Sequence, residues 1–194
     1  MITGRCVSLK TLDSNYLHMV YKWYNDPDLM AFYGLSPIIS IEKIQEEIKT
    51  NKALNNRLDF IVLNQKKDPI GMVWVKRLDW VNRHCEINCM IGEKSHRSKV
   101  FGPEAIFLLL IFCMNELNLN KVYAKIVEFA RESHQLVTLA GFKKEAVLRK
   151  MMFQNGKYWD LFIYGLLRKD FKQFINSTKG KEYLLSSRQI KKNR

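Results

Sequence analysis

No apolar run in the 194-residue chain is long enough to cross a bilayer. The longest, Ala105 to Met114, has ten residues, about half of the ~20 that a spanning helix needs. The start, Met1-Ile2-Thr3-Gly4-Arg5, lacks the basic-then-apolar order of a secretory signal. Cysteine is scarce as well. Cys6, Cys85, Cys89 and Cys113 form no C-x-x-C pair and no zinc spacing, and scattered thiols without a signal fit a reducing cytoplasm. His18, His84, His96 and His134 stand apart from one another and from the cysteines, so no metal site is expected. Internal repeats are also missing. These absences leave a cytoplasmic protein without membrane spans, disulfides or metal.

What is present is one domain's worth of core and an excess of positive charge. Hydrophobic residues make up 47% of the chain and aromatics 12%, enough for a packed interior and too much for global disorder. Lys and Arg number 32 against 19 acidic residues, a net charge of +13, which points to an anionic partner. The distribution is uneven: residues 168–194 carry +7 and the remainder +6. The chain reads as a mildly basic globule with a strongly basic tail. Phe171, Phe174 and Tyr183 are expected to dock the tail onto the domain rather than stack on bases, so nucleic-acid binding is the weaker reading.

Periodicity orders the elements. Arg5 to Leu12 reads as a strand. A helix capped at Asp13 or Ser14 carries Leu17, Val20, Tyr21 and Tyr24 at helical spacing and stops at Asn25-Asp26-Pro27. Ser40 caps a second helix striped by Ile41, Ile44 and Ile48. Strands follow at Asp59 to Leu63, Ile70 to Leu78 and Glu86 to Ile91. Pro103 suits the first turn of a buried helix running to about Leu117. Lys121 to Val127 is a strand, Arg131 to Leu139 a helix stopped by Gly141. Phe142 to Phe153 and Tyr158 to Leu166 flank the hairpin signal Asn155-Gly156, and Lys169 to Ile175 is a last helix. The order describes an α/β domain on a mixed sheet.

Several segments, in this order, carry a resemblance: Trp23-Tyr24-Asn25-Asp26, Pro69-Ile70-Gly71, Asp79 to Arg83, Glu86-Ile87, Arg97 to Ala105, Asn118 to Val122, Ala140-Gly141-Phe142 and Asn155 to Asp160. The chain resembles the GNAT acyl-CoA N-acyltransferases, in the branch of ribosomal-protein and spermidine N-acetyltransferases. The resemblance implies the GNAT fold, a mixed central sheet of six to seven strands flanked by helices. It places that domain at residues 1–172, with 173–194 a basic, disordered tail. It implies transfer of an acetyl group from acetyl-CoA to a primary amine. The acceptor would be a small molecule, such as a nucleotide-linked amino sugar, or a protein N-terminus. A polyamine fits a basic protein poorly. A homodimer is implied by analogy.

The resemblance also assigns residues. Arg97, Ser98, Lys99, Val100, Phe101 and Gly102 would form the pyrophosphate loop, because a helix N-terminus offers unpaired amides and a positive dipole end. The backbone of Cys89, Met90 and Ile91 would polarise the thioester, and Ser133 would lie beside the cofactor. Glu86 would be the general base. Trp23, Asn25, Tyr33, Trp74, Asp79, Trp80 and Asn82 are candidates for the acceptor pocket. Three positions depart from the family pattern: Val100 replaces a glycine, Ala130 an asparagine, and Val137 the tyrosine that protonates the departing thiolate. These motivate the alternative of a catalytically impaired GNAT-fold protein that binds CoA or scaffolds a partner.

Overall fold

Eight strands pair into one sheet in a computed structural model that describes residues 1–33, 39–97 and 100–177. The strands are β1 (Ile2–Thr3), β2 (Val7–Thr11), β3 (Leu58–Asn64), β4 (Pro69–Asp79), β5 (His84–Ile91), β6 (Lys121–Val127), β7 (Lys143–Gln154) and β8 (Lys157–Leu167). Their order is β1-β2-β3-β4-β5-β6-β8-β7. All neighbours are antiparallel except β5 and β6, which are parallel. The expected six to seven strands become eight through β1, whose two residues are too short to show a period.

Helices cover both faces. On one side lie α1 (Leu17–Tyr24), α2 (Pro27–Phe32) and α3 (Ile41–Leu54). They bury Val20, Trp23, Leu29, Met30 and Ile44 against Ile61, Met72, Trp74 and Met90. On the other lie α4 (Phe101–Ile111), α5 (Arg131–Leu139) and α6 (Arg168–Asn176). The apolar run foreseen as a buried helix is α4: Ala105 to Leu110 are each at most 6% exposed. A π-helical turn at Phe112–Glu116 ends it. Central β4 is sealed on both faces, so its alternate residues divide between the two cores: Val73 and Val75 join α4, whereas Met72 and Trp74 join α1. Each fully buried Leu, Val or Met here contributes about 1.5–3 kcal/mol.

Asn25-Asp26-Pro27 ends α1 as read, and Asp26 has a second part not read from the sequence: it caps α2, its carboxylate accepting the amides of Asp28 and Leu29 at 3.0 and 3.2 Å. Asn155 and Gly156 both have positive φ, 52° and 73°, in the β7–β8 turn. Helix α6 continues across position 172 to Asn176, with Phe171 1% exposed and Phe174 ring-to-ring with Phe107 at 6.0 Å. The rest of the tail, Tyr183 included, lies outside the described residues. Among the described residues no helix is long and apolar enough to cross a membrane, and no cluster of metal-ligating side chains occurs.

Candidate active site

The sheet opens between its two parallel strands. β5 and β6 share three rungs, His84–Lys121, Cys85–Val122 and Glu86–Tyr123, and then part. The register of β5 on β4 determines what faces the gap. Gly92 donates its amide to the Ile70 carbonyl at 2.9 Å, so the hydrogen-bonded rungs continue at Met72–Met90, Trp74–Asn88 and Lys76–Glu86. The amides and carbonyls of Cys89 and Ile91 therefore point the other way, beyond the last rung of β6. The Ile91 amide is taken by the Tyr33 hydroxyl, and the Ile91 carbonyl by Arg97 at 3.1 Å. Cys89 is left with its backbone facing the open wedge. Its thiol is pushed up to about 12 by burial, so it stays protonated and unreactive.

The chain leaves β5 through a short 3-10 turn, Lys94–His96, and enters α4 at Val100. The expected substitution problem at Val100 does not arise: φ is −110°, an ordinary conformation for a β-branched residue. Among the described residues no side chain caps α4, so the amides of Phe101 and Gly102 are available to an anion. A Cβ on Gly102 would meet only the Ile91 side chain, at 3.7 Å, which leaves open space over the first turn. Phe101 packs on the His96 ring at 5.3 Å. Arg97 differs from expectation. Its guanidinium folds back onto the carbonyls of Ile91 and Gly92 and onto Asp26 (3.1, 2.9 and 3.4 Å). It braces the loop instead of presenting charge to a phosphate. Ser98 and Lys99 lie outside the described residues. Ala130 precedes α5 without a side-chain cap, Ser133 sits half-buried in its first turn, and Val137 is buried at 5% exposure.

Glu86 is on the sheet face opposite Cys85 and Ile87, as expected, but its surroundings do not suit a base. It is 1% exposed, and its carboxylate meets Lys76 at 3.0 Å, Arg77 at 2.6 Å and Lys125 at 3.5 Å. Burial alone would raise its pKa; the Lys76 ammonium, helped by Lys125 and Arg77, outweighs burial and holds the group below the usual carboxylate range. A weakly basic carboxylate among three cations is a poor proton acceptor. Arg83, at the start of the same hairpin arm, is not among its partners and binds the Asn118 carbonyl.

Most acceptor candidates turn out to be structural. Trp23 is 1% exposed, gives its Nε1–H to Glu93 at 2.9 Å, and lies so close to Gly92 that a Cβ there would run into the indole. Asn25 ties α1 to residue 39, donating to the Tyr21 and Ile39 carbonyls (2.9 and 3.0 Å) and accepting the Ile39 amide (3.2 Å). Asp79 and Asn82 brace the β4–β5 turn through two hydrogen bonds of 2.7 and 2.9 Å, and Trp80 donates to the Asn55 carbonyl. These three sit at the far end of β5: Asn82 to Cys89 spans roughly 23 Å at ~3.3 Å per residue. They lie outside the stretch where β5 and β6 part. Trp74 and Tyr33 do reach it, Trp74 directly opposite Asn88 and Tyr33 on the Ile91 amide.

Comparison with known proteins identifies this arrangement. The family model for the acetyltransferase (GNAT) domain matches residues 7–143. The chain belongs to the GNAT acetyltransferases. It is 24% identical over 170 residues to the uncharacterized N-acetyltransferase p20 of Bacillus licheniformis, covering 85% of this chain and 94% of that one. It is 24% identical over 155 residues to the spermidine N(1)-acetyltransferase of Vibrio cholerae, covering 80% and 89%. The crystal structure of the latter kind of enzyme from Vibrio cholerae, in complex with CoA and spermine, superposes with a TM-score of 0.81 at 23% identity over 86% of this chain and 98% of that one, which establishes the shared fold.

As a GNAT acetyltransferase the protein uses acetyl-CoA and acts on an amine, and the residues present suit that cofactor. The uncapped α4 N-terminus, the open space at Gly102 and the outward backbone of Cys89 form one path from the loop into the wedge. Four side chains by the wedge escaped the sequence reading: Arg77, Asn88, Tyr123 and Lys125. Asn88 was the easiest to find, two residues beyond Glu86 on the same strand face. Its Nδ2 is buried and, among the described residues, has no partner.

Proposed function

We propose that the chain transfers the acetyl group of acetyl-CoA to the primary amine of a small molecule, such as an amino sugar linked to a nucleotide, or of a protein N-terminus, at the point where β5 and β6 part. One observation carries this reading: past Glu86 no β6 partner lies opposite β5, which leaves the Cys89 backbone open to the wedge. When bound, acetyl-CoA supplies an activated thioester. The α4 amides at Phe101 and Gly102, with Val100 at the cap, hold its pyrophosphate; Ser133 and the backbone of Met90 and Ile91 flank the path. The Cys89 amide would polarise the thioester carbonyl.

Tyr33 takes the part that Val137 cannot. Burial, with a smaller contribution from Cys89, raises its phenol, so it is protonated at neutral pH and able to donate to the departing thiolate. Glu86 acts by holding Lys76, Arg77 and Lys125 in place. The amine loses its proton to water.

The buried Val137 and the donorless Ala130 favour a second reading, a CoA-binding protein without turnover. Calorimetry with acetyl-CoA followed by thiol release across an amine panel separates the two. Binding with turnover supports transfer, binding without turnover supports the second reading, and no binding at millimolar ligand refutes both. The four free cysteines support a reducing compartment, the cytoplasm. The exposed Met151, Phe153 and Tyr158 on edge strand β7 and its hairpin support a homodimer, which light scattering would register.

A further inference from the structure

The acceptor-side face of the wedge carries a charge pattern of its own. Lys76, Arg77 and Lys125 surround one carboxylate, a local charge of +2. The carboxylate is sealed, whereas the cations remain 36%, 58% and 29% exposed in their side chains. What an incoming ligand meets is therefore positive. One step along the same face toward the wedge, about 6–7 Å for two residues of strand, is the buried, unpartnered Nδ2 of Asn88. A buried amide donor without an acceptor is costly unless a ligand supplies one.

Five acidic side chains are held in ion pairs, whereas Glu47 of α3, close enough to Tyr24 to act on its phenol, is in none among the described residues. Asp26 pairs with Arg97, Asp28 with Lys94, Glu93 with Lys22, Asp59 with Arg57 and Glu145 with Lys121, at 3.4, 3.0, 2.9, 2.8 and 2.6 Å. A polycationic acceptor would have to displace these internal pairs and approach three cations. An anionic group meets the opposite situation, with charge-assisted donors from Lys125, Lys76 and Arg77 and a neutral donor from Asn88.

Resting on the proposed transferase activity, we infer that the acceptor is a small amine bearing an anionic oxygen group, a phosphate or a carboxylate, bound by Lys76, Arg77 and Lys125 with the Asn88 amide. The anion fixes the amine beside the Cys89 backbone, so charge complementarity selects the substrate and also orients it.

The test is steady-state thiol release by the full chain with saturating acetyl-CoA and matched amines: glucosamine 6-phosphate against glucosamine, phosphoethanolamine against ethanolamine, glycine against glycinamide, and spermidine. The expected result is kcat/KM about tenfold or more higher for the anionic member of a pair, with spermidine poorest. The advantage should shrink as salt rises from 50 to 500 mM. The phosphate and carboxylate pairs show which anion the site prefers. In Lys125→Met, and in the more exposed Arg77→Gln should the first fail to fold, the ratio within a pair should collapse toward one. Asn88→Leu should raise KM for the anionic member more than it changes kcat. Equal or better use of the neutral member or of spermidine overturns the inference. So does an unchanged ratio in a folded Lys125 or Arg77 variant, or acetyl-CoA binding without thiol release from any amine. Failure to bind acetyl-CoA, by contrast, removes the transferase reading itself.

Discussion

Replacing Glu86 with glutamine separates a base from a charge clamp. The side chain keeps its size and one carbonyl oxygen, but Lys76, Arg77 and Lys125 lose their shared counter-charge. A hydrogen bond to a charged group contributes about 1.5–3 kcal/mol, and a fully buried ion pair broken on one side costs about 3–5. The cations here are partly solvated, so the lower part of that span applies, about 2–3 kcal/mol. For a domain of this size that is a fall in Tm of roughly 5–10 °C. The kinetic consequence differs in kind. Loss of a general base costs about 10²–10⁴ in kcat, whereas a loosened clamp should cost less than about tenfold and act mainly on the KM of the amine. Thermal melts and thiol-release kinetics on the same preparation provide both numbers. A kcat loss beyond about 100-fold with an unchanged Tm would refute the clamp and restore Glu86 as the base.

Other perturbations follow from the same geometry. Tyr33→Phe should lower kcat by about 10–100-fold with acetyl-CoA affinity retained; full activity would remove it as proton donor. Gly102→Ala should leave the melt near wild type, since a Cβ there meets only the Ile91 side chain at 3.7 Å, while acetyl-CoA affinity by calorimetry falls about tenfold. Trp23→Ala should cost about 3–5 kcal/mol in denaturant unfolding, because a fully buried indole stacked on Gly92 is lost. The carboxyls of Glu86, Glu93, Asp26 and Asp79 all lie below their ordinary values in the fold. Their contribution is therefore complete above the unfolded pKa of about 4–4.5 and is lost as pH falls below it. Unfolding free energy should be flat toward neutrality and drop below about pH 4.5, less steeply in Glu86→Gln; a midpoint set by acid titration near pH 6 would contradict this.

The fold was legible wherever local signals and burial agree: Asn25-Asp26-Pro27 at the end of α1, the apolar run of α4, Asn155-Gly156 between β7 and β8. The site was legible in its backbone and much less so in its side chains. Cys89 and Gly102 follow from their position in a strand and a helix start. Arg97 reads as a phosphate ligand until the loop folds back and gives it the Ile91 and Gly92 carbonyls, contacts that no spacing reveals. Asp79, Trp80 and Asn82 lie near Glu86 in sequence, but an extended strand carries them away from the wedge. Counting back across the β4–β5 turn places Lys76 opposite Glu86, whereas Lys125 reaches it through a parallel crossover of 29 residues, 92–120. Tyr33 likewise depends on how α2 closes over the sheet.

A crystal structure with bound CoA tests the central claim most directly. The pantetheine arm should lie between β5 and β6, its thiol beside the Cys89 amide and facing Tyr33, with the pyrophosphate on the first amides of α4. CoA held elsewhere, or a wedge closed by β6 pairing with Cys89, would contradict it.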